Sequence, residues 1–542
     1  MTANKLESIR CTPLYTRTQR NRVFYRSRPY QNPTRFQSAP EKCAGHVRLE
    51  DRTRTCAVSA LPGLALSGQS LCCCFRIVPL RETNRMFGGA RLRSILVLGY
   101  ILEVLASPIL SAQTIKTEFG SSAPEEVTYW FKSAAIPIDS TSPQSPLDDL
   151  LPLQSSIGNA RIVAMGEETH GTREFFQLKH RMLEFLVERM GFTIFGIEAN
   201  WPESLVVNDY VLDGNGDPEQ ALAGLYFWTW NTQEVLDLIQ WMRRYNQDPS
   251  HVKKVKFFGF DMQETRVAVT NVEVYLKTVD PEKANIAFAV LAPLSDAAGE
   301  REYANKSEQF RKNIAEGINS LLARFDAEKK LYVGKSSAEA WLRARHNLEI
   351  VQQAERMNSA GPIGRYSVRD RSMAENVKWI LDNEAPGSKI MLWAHNAHVS
   401  VLPSVINDPM GMTLRGTYGK EMVVCGFSFD HGSFQAIEKG KGLREFTVGP
   451  AIAGSVDSTL SAIGIPLFAV DLRTAPSTGV VADWLNTPRL MRTIGAVYSD
   501  NSAKTFYASM SLHSFDVLFF VDQTAAAHEN TKPSEIQFRG GS

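Results

Sequence analysis

The stretch MGEETHG at residues 165–171 sets Glu167, Glu168 and His170 within one turn of chain. A neutral imidazole is the natural general base near pH 7, and a carboxylate close to it can fix its tautomer and stabilise the imidazolium that forms. More groups of this kind follow: Glu198 in GIEANWP, Asp261 and Gln263 in GFDMQ, and His395 with His398 in WAHNAHV. A second histidine can donate a hydrogen bond to a developing oxyanion or a proton to a leaving alkoxide. Such a set suffices for attack of water on an ester carbonyl, with no covalent nucleophile.

Each of these groups follows a short apolar run. Residues 161–166 (RIVAMG), 192–197 (FTIFGI), 255–260 (VKFFGF), 389–394 (KIMLWA), 422–427 (MVVCGF), 466–472 (PLFAVDL) and 517–521 (VLFFV) read as buried strands. Helical spacing of apolar residues predicts helices over 174–190, around 205–212 and over 232–245. Strands alternating with helices predict an α/β fold with a mainly parallel central sheet flanked by helices. From about 281 to 385 the strand pattern gives way to charged helical stretches, an insertion expected to form a cap over the strand-end cleft. Ligands of open parallel sheets bind beyond the carboxyl ends of the strands, so four strand ends deliver acids, histidines and an amide to one edge.

Plainer roles compete for single residues. Glu167 or Glu168 could complement the dipole of the helix that follows. Glu198 could pair with an arginine of the insertion, and His395 with His398 could be a structural pair. Trp201, with Trp228, Trp230, Trp241 and Trp393, could line a cleft or fill the core. Cys425, inside MVVCGF, reads as core. The chain has no G-x-S-x-G, no H-E-x-x-H, no G-x-x-x-x-G-K-[ST] and no G-x-G-x-x-G, which removes the signatures of serine hydrolases, zincins and nucleotide-binding enzymes. No cofactor is expected. A divalent metal stays open, because Glu167, His170, Glu198, His395 and His398 are competent ligands wherever they converge.

The net charge of +1 hides a division: residues 1–85 hold 15 Lys/Arg against 5 Asp/Glu and six of the seven cysteines, leaving −9 for the rest. They are expected to be a disordered or non-native upstream extension. Residues 86–112 (MFGGARLRSILVLGYILEVLASPILSA) resemble a bacterial signal peptide: Arg91 and Arg93 precede an apolar run and small residues precede Gln113, although Glu103 and Leu110 depart from the pattern. An exported bacterial protein, periplasmic or extracellular, is the expectation, with no stable membrane insertion once the segment is cleaved. If translation begins at Met1, the same run could act as an anchor. Residues 113–150 read as an approach segment with a short helix at 125–133, and 151–542 as the hydrolase domain. The exported part is acidic, which argues against a nucleic-acid partner.

The stretch GEETHGTREFFQLKHRMLEFLVERMGFTIFGIEANWPES, followed by FFGFDMQ and WAHNAHV, resembles the erythromycin esterase family over roughly residues 150–430. The resemblance implies an α/β core with added helices around a deep cleft, a small-molecule ester or lactone as substrate, and metal-free hydrolysis of the kind that opens macrolactones. It assigns His170 as general base, Glu167 as its supporting acid, Glu198 as a second acid, and His395 with His398 as a distal pair acting on the carbonyl or the leaving group. Substrate contacts are expected from Lys179, Asp261, Gln263 and Trp201. Lys179 stands where the family's macrolide esterases carry an arginine, which predicts altered substrate orientation; Arg181 points to another side of the helix. Glu168 is expected to cap that helix. Two other readings stay open at this level: a metal-dependent ester or amide hydrolase, and a non-catalytic envelope protein binding a glycan or lipid.

Overall fold

The computed structural model describes residues 122–296, 302–384, 386–404, 407–500 and 506–530. The upstream extension, the signal-peptide segment and residues 113–121 of the approach segment lie outside the described residues.

Eleven strands are described: β1 (Ile136–Pro137), β2 (Ile162–Met165), β3 (Ile194–Asn200), β4 (Lys256–Asp261), β5 (Ile390–Trp393), β6 (Met422–Glu438), β7 (Gly442–Val448), β8 (Leu467–Asp471), β9 (Arg489–Arg492), β10 (Tyr507–Met510) and β11 (Val517–Thr524). Nine form one sheet in the order β1-β8-β11-β6-β2-β5-β3-β4, with β7 paired to β6. From β11 to β4 every pair in that path is parallel, while β8, β1 and β7 join antiparallel. All seven predicted strands are present. Their continuous apolar character follows from burial on both faces, and alternate residues serve opposite layers. Ile162, Ala164, Ile390 and Leu392 face one core, and Val163, Met165, Met391 and Trp393 the other.

The second core is covered by α2 (Arg173–Met190) and α4 (Gln233–Gln247), the first by helices that include those between β4 and β5, while α1 (Glu125–Ala134) precedes the sheet. A third crossover helix, α3 (Trp201–Asp213), starts directly from β3. α5 (Arg266–Val279) ends before the predicted insertion begins, and the insertion contains α6 (Pro281–Leu291), α7 (Glu308–Ala327), α8 (Lys329–Lys335), α9 (Ala338–Ser359) and α10 (Gly361–Asn383). Its apolar stripes pack on the sheet, and the residues that leave α10 for the strand ends are Arg369 and Asp370.

What the local pattern leaves open is strand order. β5 returns from the insertion and enters between β2 and β3, so β2, β5, β3 and β4 are consecutive parallel neighbours. The four loops carrying the candidate residues therefore leave one edge side by side. The sequence also falls short on β6, whose 17 residues run well past the sheet to pair with β7, and on the β9–β10 ribbon.

Leu392 is fully buried at the centre of the sheet, whereas Val274 on α5 is 59% exposed. Leu392→Ala is expected to cost about 2–5 kcal/mol through the cavity it leaves, and Val274→Ala to stay within about 0.5 kcal/mol; urea unfolding of the two variants measures the contrast.

Candidate active site

The turn after β2 is shaped by two close backbone approaches. A Cβ on Gly166 would stand 2.1 Å from Oδ1 of Asn396, which accepts from the Phe427 N–H at 3.1 Å while the Asn396 amide donates to the Phe427 carbonyl at 2.8 Å. A Cβ on Gly171 would meet the Gln435 carbonyl at 2.3 Å, and Gly171 O accepts from the amides of Gln435 and Ala527 at 3.0 and 2.9 Å. Glycine is required at both positions because neighbouring groups occupy the space of a side chain. The turn between them is thereby fixed, and His170 with it.

His170 Nδ1 lies 2.7 Å from Oε1 of Glu167. The other oxygen of that carboxylate accepts from Lys179 Nζ at 2.5 Å and from the Trp393 indole at 2.8 Å. Glu167 and Lys179 are completely buried, and the ammonium sits 4.5 Å from the Trp393 ring centroid. Ionised Glu167 holds His170 as the Nδ1–H tautomer, which leaves Nε2 as the basic nitrogen. His170 retains 9% exposure, and its ring lies 5.2 Å from that of His395 and 6.0 Å, edge-on, from Trp230.

The two distal histidines are held in different states. His395 caps α11 (Asn396–Val399): its Nδ1 accepts from Ala397 N–H at 3.1 Å, so Nε2 carries the hydrogen, 3.3 Å from the Glu168 carbonyl. Burial, reinforced by the charges of His170 and His398, pushes its pKa down to about 3. His395 is a neutral N–H donor. His398 Nδ1 lies 2.8 Å from Asp370 Oδ1 and Nε2 3.3 Å from Glu198 Oε1. Burial alone would lower its pKa, but Asp370 and Glu198 outweigh it and raise it to about 10. Arg369 Nη1 donates to Nε2 at 3.0 Å, so the carboxylates draw the ring toward the cation while the guanidinium contact favours the Nδ1–H tautomer facing Asp370.

Glu198 accepts from Arg369 Nη2 at 2.6 Å and, through Oε2, from the His395 backbone N–H at 3.0 Å. Burial would raise its pKa, yet His398 and Arg369 hold it well below the usual carboxylate range. Asp261 takes the same guanidinium at 2.7 Å and the Gln263 amide at 2.7 Å. Glu198 is thus paired with an arginine of the insertion, and it remains at the site while doing so.

Not every predicted contact is brought to the cleft. Lys179 is sealed behind Glu167, so it bears on that carboxylate and is not placed to touch a substrate; Arg181 is turned away and clamps Asp149 at 2.7 and 3.0 Å. Trp201 packs edge-on against His346 and Trp379 in the insertion-side core. It lines no cleft, because the chain turns straight from β3 into α3 and carries the indole beneath the insertion. Asp261 is fully buried on Arg369, which leaves Gln263 the partly exposed member of that pair. Glu168 does not cap α2, whose N-cap is Thr172. Its Oε2 accepts from Phe429 N–H at 3.2 Å and its carboxyl faces Asp457; burial first, then that charge, push its pKa well above the carboxylate range. Glu174 is the acid of the first turn and accepts from Ala525 N–H at 2.7 Å.

Glu167, His170, Glu198, His395 and His398 do not bring three ligand atoms, one from each, within 4.8 Å of one another. Among the described residues, the group able to bring one ligand atom each within 4.8 Å is Asp430, His431 and Asp522, on β6 and β11. Sequence reasoning missed Arg369, Asp370 and Asn396. An Arg-Asp pair in a charged insertion helix carries no local signal, whereas Asn396 stands inside the H-N-A-H motif and could have been read as its brace.

Residues 187–524 match the erythromycin esterase family model, more than half of the chain. The chain belongs to the erythromycin esterase family. It is 26% identical to an Escherichia coli protein named erythromycin esterase type II, over 67% of this chain and 91% of that protein. A Bacillus cereus crystal structure aligns with a TM-score of 0.67 and 27% identity, covering 74% of this chain and 98% of that one. A mutant of erythromycin esterase EreC in its open conformation aligns at 0.57 with 17% identity, covering 73% and 98%, and shares the fold. Family membership makes this an ester-bond hydrolase, in agreement with an acid-supported histidine at a strand end. The family match begins after His170, so the assignment of the first motif rests on its geometry.

Lys179→Met tests the buried pair. It leaves the Glu167 carboxylate without a cation and is expected to destabilise the fold by about 3–5 kcal/mol, with loss of esterase activity in the fraction that stays folded. Denaturant midpoint and turnover are the measurements; unchanged activity would show that Glu167 does not need the ammonium.

Proposed function

We propose that this family member hydrolyses a lactone or other carboxylic ester by direct attack of water, without a covalent intermediate and without a metal. The observation that carries the reading is the Glu167–His170 pair, with Nδ1 committed to the acid and Nε2 left as base. His170 Nε2 takes a proton from water as its oxygen bonds to the carbonyl carbon. The neutral His395 Nε2–H stabilises the oxyanion. When the tetrahedral intermediate collapses, the C–O bond breaks and the departing alkoxide takes a proton, so that acid and alcohol are the products. The name of the E. coli relative supports macrolactones as candidate substrates.

We further infer that the chain works outside the cytoplasm of a bacterium, a reading supported by the pattern of residues 86–112. Among the described residues no helix is long and apolar enough to cross a membrane. N-terminal sequencing of the protein recovered from periplasm or medium should begin at Gln113; a product retaining residues 1–112 would overturn export by cleavage.

Macrolides, simple lactones and aryl esters incubated with the full chain should gain one water by mass spectrometry, and His170→Ala should lower the rate by about 10²-fold to 10⁴-fold. Treatment with a chelator should leave the rate unchanged and the intact protein mass should show no acyl adduct. Activity lost to chelation and restored by a divalent ion would establish the metal-dependent alternative. Ligand binding without turnover, unaffected by His170→Ala, would favour the binding-protein reading.

A further inference from the structure

Gly495 follows β9 in a segment that runs beside the turn carrying His170. Ile494 N–H donates to the Glu168 carbonyl at 2.8 Å, Gly495 forms a parallel bridge with Thr169, and the chain is then fastened to β6, where Ile437 N–H donates to Ala496 O at 2.9 Å and Tyr498 N–H to Ile437 O at 3.1 Å. The segment is therefore held at both ends and lies against the residue that precedes His170. Gly495 has φ +37°, a backbone conformation that favours glycine, and this accounts for the residue type. Its surroundings differ from those of the other two glycines of the site. A Cβ on Gly166 or Gly171 would be crowded at 2.1 and 2.3 Å, whereas a Cβ on the partly exposed Gly495 would meet, among the described residues, one atom within 4 Å: Cδ2 of His170, at 3.9 Å.

Cδ2 is the ring carbon bonded to Nε2, the nitrogen left over when Nδ1 is committed to Glu167. Other sides of the imidazole are occupied. The His395 ring lies 5.2 Å away with its Nε2 toward the Glu168 carbonyl, and Trp230 stands edge-on at 6.0 Å with its indole N–H donated to Glu198 O at 2.8 Å. A carbonyl carbon attacked by water held at Nε2 has to lead its substituents past one side of the ring. We propose that Gly495 is a specificity-determining residue: the space that a side chain at 495 would fill receives the carbon skeleton beside the scissile carbonyl, so that esters branched or cyclic at that point are accepted. This rests on the hydrolase reading for its consequence, while the openness of the His170 edge is a property of the resting protein. A side chain at 495 would project toward the edge that bears Nε2 and shut out branched skeletons, leaving unbranched ones room to pass.

The experiment compares the full chain with Gly495→Ala and Gly495→Asn, a pair that separates occupied space from backbone strain. Asparagine tolerates a positive φ better than alanine but carries the larger side chain, so strain would make alanine the worse and occlusion would make asparagine the worse. On aryl 2-methylpropanoates and macrocyclic lactones kcat/KM should fall in the order parent, Ala, Asn, by about 10-fold to 100-fold in the last, while aryl acetates change little. Carbethoxylation of His170 by diethyl pyrocarbonate, followed by peptide mass mapping, should proceed in the parent and slow in the same order with no substrate involved. Equal penalties on acetates and branched esters, a larger penalty in Gly495→Ala than in Gly495→Asn, or a His170 that is unreactive in the parent or equally reactive in all three proteins would each overturn the proposal. If the parent turns over no ester, the hydrolase reading fails while the modification rates still decide whether position 495 governs access to His170.

Discussion

One guanidinium, that of the partly buried Arg369, carries much of this site. Glu198 and Asp261 leave adjacent strands with their carboxylates sealed from water, and both are held by Arg369, which reaches them from α10. Burying two like charges without a cation would cost several kcal/mol each, and the ordinary outcome would be protonation. With Arg369 in place Glu198 stays ionised and accepts from the backbone N–H of His395. The insertion therefore has to be docked for the strand-end residues to hold the charges they do.

A second buried pair works by the same rule on the other side of the turn. Lys179 neutralises Glu167 from within the core, and Trp393 and His170 complete the carboxylate's hydrogen bonds. Burial draws the ammonium's pKa down to about 8, and Glu167 keeps it from falling further. An arginine here would supply the same charge through a larger fork.

The contrast among the three histidines shows how partners assign roles to one residue type. His170 is paired with a carboxylate on Nδ1; His395 is surrounded by peptide groups; His398 has a carboxylate on Nδ1 and both a carboxylate and a guanidinium near Nε2. Their differences follow from neighbours, since an imidazole titrates near pH 7 and small differences in environment move it either way.

The sequence alone determined the strands, because a strand buried on both faces must be apolar throughout and bounded by turns, and RIVAMG, FTIFGI, VKFFGF and KIMLWA meet that condition without reference to anything distant. It also determined which residues leave those strands, hence Glu167, His170, Glu198, His395 and His398. The tertiary structure decided the rest. Strand order placed β5 between β2 and β3 and so made neighbours of loops more than 200 residues apart. It drew Trp201 and Lys179 inward and turned Glu168 toward Asp457, which local spacing could not show, since those residues were pulled by partners on other elements. It brought Arg369 and Asp370 into the site from a helix whose own pattern is that of any charged surface helix. Hydrophobic periodicity is a local property readable from a few residues, whereas the pairing of buried charges depends on where the chain returns, and only the folded molecule contains that information.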